Sequence, residues 1–147
     1  MFTAEEILGM QVEGANATKL IPVPEGEYPA HIREVTARDG ISDKGNAWVA
    51  VNVTWEIDDE GVRAATSMER PTCRQSIFLD IAESGALDMS EGKNIGLGRL
   101  REAVGQNGEG SWGFGMLEGA AAVVRVEHSE GKNPGDIYAN VVAVSAA

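Results

Sequence analysis

From Ala47 to Ile57 apolar and polar positions alternate with a period of two. Val49, Val51, Val53, Trp55 and Ile57 fall on one face, and Trp48, Ala50, Asn52, Thr54 and Glu56 on the other. Such alternation marks a strand with one face in a core. An earlier run, Gly26 to Ala37, places Tyr28, Ala30 and Ile32 inward. It is followed by turn residues at Asp39-Gly40 and Lys44-Gly45-Asn46. A loop carrying Arg63, Arg70 and Pro71 leads to a third strand, Cys73 to Ile81, with Ile77, Leu79 and Ile81 opposed to Arg74, Ser76, Phe78 and Asp80. The period then changes. Leu97, Leu100 and Val104 recur at helical spacing after a cap at Asn94, and Gly105 is placed to stop the helix. Two further strands, Gly119 to Ser129 and Ile137 to Ala146, are joined by a turn through Gly131-Lys132-Asn133-Pro134-Gly135.

Ahead of these runs, Thr3 to Leu8 reads as a short helix. Thr3 and Glu6 form a capping box, with Phe2 and Ile7 as its staple. The prolines of Ile21-Pro22-Val23-Pro24 keep the next segment extended. The order β-β-β-α-β-β predicts an all-β chain: a five-stranded OB-fold barrel with one helix between strands 3 and 4 and an N-terminal arm. The arm occupies residues 1–25 and the barrel residues 26–147, and the arm is expected to pack over one end of the barrel.

Composition narrows the chemistry. The 147 residues suit one domain with one core. No run approaches the roughly 20 apolar residues of a membrane span. The start, Met1-Phe2-Thr3-Ala4-Glu5-Glu6, lacks the basic and long apolar regions of a secretory signal. Cys73 is the only cysteine, which rules out an intrachain disulfide and suits a reducing cytoplasm. With it, His31 and His128 show no zinc-ligand spacing, so all three read as structural. No Gly-x-Ser-x-Gly elbow and no phosphate-binding Gly-x-x-x-x-Gly-Lys loop occurs. Gly96-Leu97-Gly98 lacks the third glycine of a dinucleotide fingerprint, with Arg101 in its place. No enzyme, metal or cofactor is expected.

The net charge of −11 argues by itself against nucleic acid, and no segment is basic. A cationic face can arise only by folding. The outward strand positions supply the candidates: Trp48 and Phe78 for stacking on bases, and Arg33, Arg38, Lys44 and Arg74 for phosphates, with Arg38 and Lys44 in the loop after the first strand. Stacking is worth roughly 1–3 kcal/mol per base, and the face around strands 2 and 3 is where OB-folds hold oligonucleotides. Trp55 reads as core. Trp112 and Phe114, in a glycine-rich loop, suit either a mobile stacking platform or a plug in the barrel end.

From Ile21 onward the chain resembles phage-encoded single-stranded DNA-binding proteins. The residues that carry the likeness are Pro24-Glu25-Gly26-Glu27-Tyr28, the Trp48 to Ile57 strand, the helix end at Leu97, Leu100, Ala103, Val104 and Gly105, and Gly119 followed by Val123, Val124 and Val126. The resemblance implies a protein that coats single-stranded DNA during phage DNA replication or recombination in the host cytoplasm, with phage or host replication proteins as further partners. Bacterial relatives end in a disordered acidic tail that recruits partners, whereas this sequence stops at Ala147 directly after its last strand. The rival reading is a phage structural or assembly component, or an acidic protein-binding module with no nucleic-acid activity.

Overall fold

A computed structural model describes residues 1–147. Its elements in chain order are α1 (Ala4–Leu8), β1 (Gly26–Ile41), β2 (Ala47–Ile57), α2 (Glu60–Thr66), β3 (Thr72–Leu79), α3 (Ile95–Ala103), a 3-10 turn (Phe114–Leu117), β4 (Ala121–Glu130) and β5 (Ile137–Ser145). The protein is mostly β, with one five-stranded sheet in the order β1-β2-β3-β5-β4 that closes on itself. Every neighbouring pair is antiparallel except β3 and β5, which meet in parallel at the single pair Arg74–Asn140.

The long strand β1 serves two partners. Gly26 to His31 pairs with β4, and Ala30 to Ile41 pairs with β2. The register shifts between Ile32 and Glu34, which leaves Arg33 as an extra residue. A bulge of this kind bends a strand and raises its twist, which lets β1 pass from one neighbour to the other. The core lies within the closed sheet. Ile32, Val53, Trp55, Ile57, Val124 and Val126 have essentially no exposed surface, nor do Leu100 from α3 and Leu117 from the 3-10 turn. Trp55 reaches full burial because its Nε1–H donates to Gln75 Oε1 at 2.9 Å, so the indole leaves no orphaned donor.

Three expectations need correction. The β2–β3 connection is not a plain loop but contains α2. Asp59 caps that helix by accepting from Val62 N–H at 2.9 Å, and Val62 and Thr66 are buried beneath it. Seven residues are too few for a helical period to show in the sequence. Second, β1 continues past Ala37 to Ile41, so Arg38 lies in a strand and not in a loop. Third, only the last part of the arm packs on the sheet, with Val23 in the core and Lys19 paired with Asp136 at 2.7 Å. Residues 1–21 are exposed, and the chain first becomes buried at Val23, where His128 Nε2 meets the Val23 carbonyl at 2.7 Å. No helix is long and apolar enough to cross a membrane.

Asn94 stands at the head of α3 but does not cap it with its side chain. It adopts a left-handed conformation, φ 52°, and its side chain turns back to the end of β3. Asp80 N–H donates to Asn94 Oδ1 at 2.8 Å, and Asn94 Nδ2 donates to the carbonyls of Asp80 at 2.9 Å and Asp88 at 3.0 Å. This knot joins α3 to the strand that carries Phe78. Asn tolerates the left-handed region better than alanine does. Asn94→Ala is therefore expected to lower unfolding stability by about 1–3 kcal/mol, read as a lower urea midpoint with an unchanged slope.

Candidate functional site

The register of β2 between its neighbours builds the site. Trp48 stands opposite Gly40 on β1, and Ala50 stands between Arg38 on β1 and Phe78 on β3. Trp48 and Phe78 therefore share the outer face. Their ring centroids are 5.8 Å apart with planes at 72°, an edge-to-face contact. The Arg38 guanidinium lies 5.1 Å from the Trp48 ring centroid, within cation–π reach. Ala50 is fully buried, while Phe78 is 62% exposed and Trp48 half-buried. Gly40 makes room for the indole, since a Cβ there would overlap the Trp48 ring.

Beyond Ala50 the face becomes neutral and polar, with the Ser76 hydroxyl donating to Asn52 Oδ1 at 2.8 Å. Arg74, opposite Thr54, ends the strip four residues from Phe78, about 13 Å at the usual strand rise. At the Trp48 end the paired outward positions are Thr36, Arg38, Gly40, Trp48, Ala50, Asn52, Ser76 and Phe78, none a carboxylate; Asp80, next after Phe78 on that side, is exposed, and its carboxylate accepts from Asn94 N–H at 2.9 Å. Glu34 and Glu56 lie toward the other end, and Glu56 is engaged by Arg70 at 2.8 Å.

The structure thus brings Trp48, Phe78 and Arg38 together. Lys44 sits in the β1–β2 turn beyond Trp48. Arg33 occupies the bulge, where the inward-outward alternation of β1 is interrupted, so it falls outside the simple outward row expected from Tyr28, Ala30 and Ile32. Arg33, Arg38, Lys44 and Arg74 form no ion pair, whereas Lys19, Arg63, Arg70 and Arg125 all do.

The other two tryptophans differ. Trp55 is core. Trp112 is tied down: its Nε1–H donates to Gln106 Oε1 at 2.8 Å, the Arg101 guanidinium stacks 4.4 Å from its ring centroid, and Phe114 packs against it at 5.0 Å. Both rings rest on the core cluster, so they form a plug and not a mobile platform.

One constellation escaped sequence reasoning. His31 Nδ1 lies 2.9 Å from Asp58 Oδ2, and its Nε2 lies 3.7 Å from Glu56 Oε2. These three side chains could in principle supply metal ligands, their donor atoms lying within 4.8 Å of one another. Each carboxylate, however, already faces an arginine: Arg70 on Glu56 at 2.8 Å and Arg63 on Asp58 at 3.9 Å. The group reads as an ion-pair network that fastens α2 and the loop after it to β1 and β2. No sequence pattern marked it; the β1–β2 register of the folded sheet sets His31 against Glu56. Burial pushes the Cys73 thiol up to about 11, which keeps it protonated at neutral pH and unsuited to nucleophilic attack.

No protein-family model matches the chain, and no curated protein matches it. Gly40→Ala should push the indole off β1 without unfolding the sheet. The expected result is a shifted Trp emission maximum with a urea midpoint lowered by the equivalent of about 1–3 kcal/mol.

Proposed function

We propose that this chain is a non-enzymatic binder of single-stranded DNA with little sequence preference, serving phage DNA replication or recombination in the cytoplasm of the infected host. The closed sheet is taken as an OB-fold barrel, partly open where β3 and β5 share one pair. The observation that carries the proposal is the Trp48–Phe78–Arg38 cluster on the outer face of β1, β2 and β3, with the unpaired cations Lys44 and Arg74 along the same face.

In this mechanism bases stack on Phe78 and on the open part of Trp48, which accept any base because every base has a π face. Arg38 and Lys44 at one end, and Arg74 and Arg33 at the other, track the phosphates. Asn52 is buried and its Oδ1 accepts the Ser76 hydroxyl, which withdraws those two groups from base edges and suits binding without sequence preference. Overall acidity is compatible with this, because exposed charges more than about 10 Å away are largely screened at 0.1 M salt.

Titration with oligo-dT should quench Trp48 emission at low salt, Trp55 being buried in the core and Trp112 half-buried and tied to Gln106. Trp48→Ala and Phe78→Ala should each weaken binding by about 1–3 kcal/mol, roughly fivefold to 150-fold. Arg38→Ala and Arg74→Ala should each reduce the slope of log affinity against log salt by about 0.7. Unchanged emission and no measurable binding at low salt would overturn the proposal.

A further inference from the structure

Helix α1 carries a complete capping box, with Glu6 N–H donating to Thr3 Oγ1 at 3.2 Å and Thr3 N–H donating to Glu6 Oε2 at 3.3 Å. Its apolar positions Ala4, Ile7 and Leu8 follow i, i+3, i+4 spacing and are extended by Phe2. Nothing on the same chain covers them: Phe2 is 66% exposed, Ile7 52% and Leu8 86%. A five-residue helix is not stable in water by itself, and helices of this length persist by packing an apolar face.

A matching surface exists on the body. Past the Arg74–Asn140 pair, β3 and β5 form no further pairs, and α3 lies beside the gap. The result is a groove of about 810 Å³ whose apolar walls include Ile77, Phe78, Ala103, Val142 and Val144. Arg99 and Glu102 also line it, and Arg99 is an exposed cation with no carboxylate partner. Residues 1–18 contain Glu5, Glu6 and Glu13 but no Lys or Arg. Glu6 is engaged in the capping box, which leaves Glu5 on the polar side of α1 as the partner for Arg99.

The arm is tethered at the end of β5 opposite the groove and does not enter its own groove, residues 1–21 being exposed. Lys19 Nζ pairs with Asp136 Oδ1 at 2.7 Å and donates to the Pro134 carbonyl at 3.3 Å, both in the turn before β5. The groove lies at the far end of β5, about 26 Å away at the strand rise. We infer that α1 docks in the β3–β5 groove of a second copy of this chain, so that two copies exchange arms. A mutual exchange of this kind closes with two-fold symmetry and leaves no unfilled groove. The inference stands apart from DNA binding except at Phe78, which borders both the groove and the aromatic cluster.

Sedimentation velocity of the full chain over a concentration series tests it. The expected result is a monomer–dimer equilibrium. Combined Phe2→Ser, Ile7→Ser and Leu8→Ser substitutions should raise its dissociation constant at least about tenfold, and so should Val142→Asp in the groove. Each of these positions is exposed, so folding should survive. Mixing the arm variant with the groove variant should restore part of the dimer, because each supplies what the other lacks. Arg99→Glu should weaken association, and Glu5→Arg added to it should recover it. A chain that stays monomeric at every concentration would overturn the inference. So would a dimer indifferent to both arm and groove substitutions, or a groove substitution that changes oligo-dT affinity alone.

Discussion

Strand β2 is enclosed on both edges and on both faces, and the rest of the protein depends on that enclosure. Its inner residues Val51, Val53, Trp55 and Ile57 are buried in the core. On the outer face Ala50, Asn52 and Glu56 are buried as well, beneath the side chains of β1 and β3. A slip of one residue would exchange these two sets and place Trp55 on the surface and Trp48 in the core. The ladders on both sides prevent it. So does the Trp55–Gln75 hydrogen bond, which only the present register allows. The Trp48–Phe78–Arg38 cluster is therefore a consequence of core packing: once the valines are inside, the indole must lie across Gly40.

The same register explains how an acidic chain retains a cationic strip. The surplus of carboxylates is not spread evenly over the arginines and lysines. Glu56, Asp58 and Glu60 gather Arg63 and Arg70 around His31 at one corner, and Asp136 holds Lys19 at another. Arg38 and Lys44, near the aromatic pair, and Arg33 and Arg74, farther along the sheet, are among the cations left unpaired. Because charge is neutralised by position, the net value of −11 is a poor guide to the local field.

Much of this was legible beforehand where the chain is strictly periodic. The bounds of β2 follow from its five alternating apolar residues. The outward placement of Phe78 and the stop at Gly105, φ 74°, follow from equally plain patterns. Legibility failed where structure depends on long-range pairing. The bulge at Arg33 leaves no mark on composition, and the extension of β1 through Asp39-Gly40 contradicts ordinary turn chemistry because Gly40 is needed for contact with Trp48 and not for a turn. Helix α2 is too short to show a period. The roles of Trp112 and of His31 depend on neighbours that only folding brings close. The arm was only partly legible: Val23 is buried against the sheet, whereas the apolar residues of α1 call for a partner surface that their own chain does not cover.

The central claim is that single-stranded DNA lies across the outer face of β2 and β3. Ultraviolet crosslinking of the full chain to oligo-dT, followed by peptide mapping, tests it most directly. The account predicts adducts at Trp48 and Phe78 that disappear as salt rises. Adducts confined to other surfaces, or a chain that forms none at low salt, would contradict it.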